Sequence, residues 1–134
     1  MNPPDRESPP AVRATFRPHE RLRHEAEFRR AFERRRSASD TILIVYAVEN
    51  GLDYARLGLS VGRRKIRLAA GRNRFKRLVR EAFRLNKAGL PTGVDLVVVP
   101  RAIRPNLPEV QGSLVRLARD AARRLGARRP QDPS

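Results

Sequence analysis

Arg72-Asn73-Arg74-Phe75-Lys76-Arg77-Leu78-Val79-Arg80-Glu81-Ala82-Phe83-Arg84 carries two messages at once. Phe75, Leu78, Val79, Ala82 and Phe83 recur at the i, i+3, i+4, i+7, i+8 spacing of a helix that buries one stripe, and Gly89 marks its expected end. With Arg72 at zero and about 100° per residue, Lys76, Arg80, Arg84 and Arg77 fall between about 40° and 140°, Asn73 among them, while the apolar stripe centres at roughly 300°. One face is shaped to dock on a sheet, and the other is a strip of positive charge.

The strip extends upstream. From Arg63 to Arg80 nine of 18 residues are Lys or Arg and none is acidic. Over 134 residues, 30 basic groups face 14 acidic ones, a formal charge of +16, which points to a polyanionic partner. Arginine supplies 27 of the 30, and its planar fork suits bidentate contact with phosphates. A merely solvated helix would set acidic residues four positions before its cations, whereas only Glu81 appears here.

Several function classes fall away. The length is that of one domain. There is no Cys, which removes disulfides, thiol nucleophiles and thiolate metal sites. The longest apolar run, 42–48, is far short of the roughly 20 residues of a membrane span, so a soluble, cytosolic chain with no membrane role is expected. Gly58-Leu59-Ser60-Val61-Gly62 matches the G-x-S-x-G pattern of hydrolases, but Ser60 lies in an alternating strand and not at a strand-to-helix turn. His19 and His24 are five apart and do not share a helix face as ligands would. The carboxylates are scattered and there is no P-loop. No catalytic or metal-binding residue of the chain's own is expected.

Working outward from the central helix, residues 94–99 form a near-continuous apolar strand that suits a position between two neighbours. Asn106 and Glu109 resemble a capping box, opening a last helix on Leu107, Val110, Leu114, Leu117, Ala118, Ala121 and Leu125. Upstream, residues 19–36 show a helical pattern. Residues 41–48 form a β-branched strand, and Asn50-Gly51 leads to the alternating run 56–61, together read as a hairpin. Ser37 to Asp40 reads as polar punctuation, and Ile66 to Ala70 in the basic connector as a short third strand. The expected organisation is a flexible leader over 1–18, holding five of the 11 prolines, one RNA-binding α/β domain over 19–126, and a polar tail over 127–134. Phe28, Phe32 and Tyr46 are most of the aromatic content outside the central helix. Such rings act either as core anchors or as stacking platforms for unpaired bases, and their spacing leaves both readings open.

The stretch 72–84 resembles the signature helix of the bacterial ribonuclease P protein family, R-N-R-x-K-R-x-x-R-E. Supporting blocks follow in that family's order: Arg21-Leu22-Arg23 through Phe28 and Phe32, then Arg56-Leu57-Gly58-Leu59-Ser60-Val61, then Asp95-Leu96-Val97-Val98-Val99-Pro100-Arg101. The resemblance implies an α+β fold: a two-layer α/β sandwich like a ribosomal-protein domain, with a four-stranded sheet and three helices in the order α-β-β-β-α-β-α and a left-handed βαβ crossover. It implies a protein cofactor of a catalytic RNA in the bacterial cytoplasm. That RNA removes the 5′ leader of precursor tRNA with Mg²⁺ held mainly by the RNA, and the protein alone is inactive. Arg72, Asn73, Arg74, Lys76, Arg77 and Arg80 are then expected to contact the RNA subunit. Phe28, Phe32 and Tyr46, with Arg64 from the connector, are expected to line a cleft for the leader. The partners are the ribonuclease P RNA and precursor tRNA, and no obligate protein partner is inferred. The chief alternative is a structural RNA-binding protein of ribosomal type without a leader cleft. A DNA-compacting protein and a protein-only nuclease are weaker alternatives, the latter because Mg²⁺ ligation wants clustered carboxylates.

Overall fold

A computed structural model describes residues 16–128; most of the Pro-rich leader and of the polar tail lies outside the described residues. Three helices and four strands make up the domain: α1 (Glu25–Arg34), β1 (Ser37–Ser39), β2 (Leu43–Glu49), β3 (Arg56–Leu59), α2 (Ala69–Leu85), β4 (Val94–Pro100) and α3 (Leu107–Arg128). The element order is the expected α-β-β-β-α-β-α. Within the sheet the strands run β1-β2-β4-β3, with β3 parallel to β4 and the other pairs antiparallel.

That order corrects two readings. Residues 41–48 and 56–61 do not form a hairpin, because β4 lies between them, pairing Tyr46 with Val97 on one side and Gly58 with Val97 on the other. The excursion after Asn50 does turn, through Gly51 at φ 72°, but it carries the chain past a slot. The most apolar strand fills that slot, since a run buried on both faces has no use for an open edge. The connector is likewise not a strand. Ile66 N–H donates to Gly62 O at 3.1 Å, the turn buries Ile66 and leaves Leu68 exposed, and α2 begins at Ala69. The remaining strand is the polar Ser37–Ser39, pairing Ala38 with Val45. Short and polar is what an edge strand ought to be. Helix α2 stops at Leu85, earlier than Gly89, because Asn86 turns its side-chain amide back onto Ala82 O at 2.8 Å.

The sheet sorts its side chains by the twofold alternation of strands. Leu43, Val45, Ala47, Leu57, Leu96 and Val98 join Phe75, Val79 and Phe83 of α2 and Val110, Leu114 and Leu117 of α3 in the main core. This is the expected sandwich of sheet and helices. Val48 and Val97 belong to a smaller cluster with Leu22 and Ala31, so α1 covers part of the opposite face. The capping box of α3 is reciprocal: Glu109 N–H donates to Asn106 Oδ1, and Asn106 N–H to Glu109 Oε1, both at 2.9 Å.

The packed domain reaches back to Phe16, whose ring meets Phe83 edge-on at 5.2 Å. Pro18–Glu20 forms a 3-10 turn fixed by buried Glu20, which pairs with Lys87 at 2.6 Å. Helix α1 therefore starts six residues later than the helical pattern at His19, and Arg21–Leu22 instead run alongside β3, with Leu22 N–H on Leu57 O at 2.9 Å. The helix ends where Arg35 adopts the left-handed conformation, φ 59°.

Asp40 fastens α3 to the β1–β2 turn. Its Oδ1 accepts Ile42 N–H at 2.8 Å and Leu43 N–H at 2.9 Å, and its Oδ2 accepts Ser113 Oγ–H at 2.7 Å and the Arg116 guanidinium. Burial pushes this carboxyl up, but the Ser113 hydroxyl, the two backbone N–H groups and Arg116 outweigh it and hold it below the ordinary aspartate value. A group depressed in the folded state stabilises above its unfolded value, about 4, and that contribution is lost as pH falls through the folded value. Asp40→Asn is accordingly expected to lower stability at pH 7, with the gap to wild type closing as pH falls below about 4. Urea melts at pH 7 and pH 3 check this, and an unchanged gap would contradict it.

Candidate nucleic-acid interface

Helix α2 buries Phe75, Val79, Ala82 and Phe83 at no more than 1% exposure, which turns its other face outward as the wheel predicts. The cations on that face are not equivalent. Arg72 bends back and donates through Nη1 to Ile66 O at 3.0 Å and Arg67 O at 2.8 Å, lacing the connector to the helix. Arg84 is held by Glu81, its Nε donating to Oε1 at 3.1 Å. Asn73, Arg74 and Arg77 are exposed, while Lys76 and Arg80 are half-buried.

Lys76 and Arg80 line a cavity of about 100 Å³ with Phe16, Arg21, Leu22, Phe28, Leu57 and Leu59. The Arg21 guanidinium lies 4.7 Å from the centre of the Phe16 ring. Burial first, and the neighbouring Arg21 charge second, push Arg80 below the ordinary arginine value. Two like charges are thus brought together with no carboxylate in the cavity wall. An anion placed there would relieve both the desolvation and the repulsion.

The three aromatics sit together over the α1 face of the sheet. Phe32 meets Tyr46 edge-to-face, centroids 4.8 Å apart at 85°, and both, with Phe28, are partly buried against Leu22, Ala31, Val48 and Val97. Each ring is therefore fixed by packing, as a core anchor is, and keeps an open portion. Arg64 is elsewhere. It is exposed and lines a groove with Arg74, Ile103 and Arg104, and that wall holds none of the three aromatics.

A network beneath the aromatics went unread in the sequence. Asp95 is completely buried, and Arg56 clasps it with two bonds of 2.8 Å, from Nε to Oδ1 and from Nη2 to Oδ2. Arg30 of α1 adds a bond to Oδ2 at 3.3 Å, and Asn50 one to Oδ1 at 3.0 Å. Arg56 also reaches Glu27 at 3.3 Å. Burial raises Glu27, but the backbone N–H groups of His24 and Arg23, the Arg56 charge and the His24 charge outweigh it and hold the carboxyl below its ordinary value. The signal was available: one Asp inside Val-Asp-Leu-Val-Val-Val has to find a cation once its strand is buried. Among the described residues no group of three or more His, Asp or Glu is placed to hold a metal ion. No helix among them is long and apolar enough to cross a membrane.

A mixed sheet with a cationic helix on one side and half-open aromatics on the other defines an RNA-binding α+β domain. The Ribonuclease P family model matches residues 16–122, and the chain belongs to that family. It is 45% identical over 87 residues to the ribonuclease P protein component of Thermotoga maritima, covering 65% of this chain and 74% of that one. The solved structure of the RNase P protein from Thermotoga maritima superposes with a TM-score of 0.65 at 38% identity, over 72% of this chain and 93% of that one. The Staphylococcus aureus RNase P protein gives 0.63 at 31% identity, over 71% and 88%. The chain is thus a bacterial-type protein component of ribonuclease P, with the tRNA processing that this entails.

Removing one partner of a buried, bonded ion cluster is worth about 3–5 kcal/mol. Asp95→Ala, which strands Arg56, is expected to lower the unfolding free energy by about that amount. Urea denaturation reads it, and a loss under about 1 kcal/mol would show that α1 does not depend on the network.

Proposed function

We propose that this chain binds the ribonuclease P RNA through the outward cations of α2 and holds the 5′ leader of precursor tRNA against Phe28, Phe32 and Tyr46. The observation that carries this reading is the shared wall of the small cavity, where Lys76 and Arg80 of α2 stand opposite Phe28 of α1. A single strand crossing there would find fixed cations for its phosphates and, alongside, ring faces for its bases. Asn73, Arg74 and Arg77 face outward for the RNA subunit, with Arg72 holding the connector in place beside them. Of the expected leader set, Arg64 reaches toward the groove beside Arg74, so its part is on the RNA-subunit side.

The RNA carries the chemistry and most of the Mg²⁺ in this reading. Each fixed arginine replaces diffuse counterions at the phosphates, so the ribonucleoprotein folds and cleaves at lower Mg²⁺ than the RNA alone. The direct experiment is cleavage of a precursor tRNA at low Mg²⁺ by a bacterial ribonuclease P RNA, with and without the protein, beside the protein alone. Cleavage at the mature 5′ end only when both are present is expected. A folded, RNA-binding sample that gives no stimulation would favour the structural RNA-binding alternative.

Two variants divide the surface. Arg74→Gln with Arg77→Gln is expected to weaken RNA binding and to flatten the salt slope by about one unit for each lost phosphate contact, measured as log Kd against log salt. Phe32→Ala is expected to weaken binding of leader-bearing precursor by about fivefold or more, the scale of one lost stacking contact, while mature tRNA is bound as before. Equal losses on both substrates would contradict the cleft.

A further inference from the structure

A second feature adjoins the outward face of α2. Between the 62–71 connector and the loop after β4 runs a groove of about 930 Å³, walled by Arg64, Lys65, Arg67, Arg74 and Arg104 with Leu68 and Ile103. No carboxylate stands in this wall, and none of the five cations has an ion pair with one among the described residues. Leu68 is 71% exposed and Ile103 58%. Apolar side chains this open are otherwise rare in the domain, and these two share one groove.

The pairing of apolar walls with an acid-free cationic rim restricts the occupant. An acidic peptide would satisfy the cations but has no general need of two aliphatic walls. A paired RNA helix presents phosphates and sugars and keeps its bases stacked inside, so it would leave Leu68 and Ile103 facing water. An unpaired nucleotide satisfies both, its base pressed between aliphatic side chains and the phosphates on either side meeting guanidinium groups. The volume lies within the range of small-molecule sites, about 300–1,000 Å³, and takes one base with its flanking phosphates.

We propose that this groove seats a single unpaired nucleotide of the partner RNA, its base between Leu68 and Ile103 and its flanking phosphates on Arg67, Arg74 and Arg104. This rests on the reading of the chain as a partner of the ribonuclease P RNA and adds to it a site that selects an unstacked base. The connector is thereby a binding element in its own right, tied to α2 by Arg72.

The test is titration of a bacterial ribonuclease P RNA with wild-type protein, Leu68→Ala/Ile103→Ala, Ile103→Ala alone, and Arg104→Gln. The two aliphatic side chains are exposed, so circular dichroism and melting should match wild type, and the single variant serves if the double one does not fold. Expected is at least about fivefold weaker binding for the aliphatic double variant with an unchanged salt slope, because no cation is lost. Arg104→Gln is expected to flatten the slope by about one unit. A benzophenone amino acid in place of Ile103 is expected to crosslink to one unpaired nucleotide. Binding within twofold of wild type for the aliphatic variants, or crosslinks confined to paired nucleotides or to a protein, would overturn the seat while the RNA reading stands. Failure of wild-type protein to bind the RNA would overturn both.

Discussion

The clasp of Arg56 on buried Asp95 is the constraint around which the rest is arranged. A carboxylate with no solvent exposure, on an inner strand, is tolerable only when every lone pair it presents is met and its charge is matched. Arg56 on β3, Asn50 in the loop after β2 and Arg30 on α1 all converge on it. Satisfying that one group brings together three neighbouring segments and the helix that crosses them. The apolar cluster under α1 is small, with Leu22, Ala31, Val48 and Val97 at its buried centre. The charged network is therefore what gives this helix a definite seat, whereas α2 and α3 are held by the larger core.

The same chemistry divides the +16 charge into cations that build and cations that are left over. Arg34 goes to Glu49, Arg116 to Asp40, Lys87 to Glu20 and Arg84 to Glu81. Arg119 goes to a carbonyl, that of Gly89, at 2.9 Å. Most of the acidic residues among the described ones are thus paired within the domain. The excess gathers on α2, on the connector and around Arg21, where the structure brings like charges together instead of separating them. Repulsion of that kind is a standing cost which a polyanion removes on binding.

Helix α2, the apolar strand β4 and the α3 cap were legible because each is set by local rules: period, continuity, and reciprocal side-chain bonds to a helix terminus. The strand order was not, since Asn50-Gly51 turns the chain equally well into a hairpin or past an empty slot, and the choice rests on β4, which comes some 40 residues later in the chain. Ser37–Ser39 reads as polar punctuation in the sequence because an edge strand has few apolar residues by which to be found. In the connector, Ile66 and Leu68 stand two apart as on one face of a strand, too short a span to separate strand from turn, and the fold buries the first and exposes the second. The candidate site was read by residue type but not by destination. The family resemblance puts Arg72, Arg74 and Arg80 in one set of RNA contacts. The fold sends Arg72 to backbone carbonyls, Arg74 toward the groove and Arg80 to the cavity shared with Phe28.

Gly58 explains how two surfaces on opposite sides of a sheet come to share a wall. A Cβ there would stand 2.8 Å from Phe28 Cε2 and 2.9 Å from Leu22 Cδ1, so any larger residue would lift the ring from β3. Without a side chain, β3 lets Phe28 descend to the sheet edge. That is also the edge along which Arg21 and Leu22 run beside Leu57 and to which α2 brings Lys76 and Arg80. A ring that is lower by one methyl group's thickness is what allows aromatic and cationic groups to meet in one cavity. The depth of α1 on the sheet, set by Asp95 at one place and Gly58 at another, thereby fixes how closely the aromatics approach the helix that carries the charge.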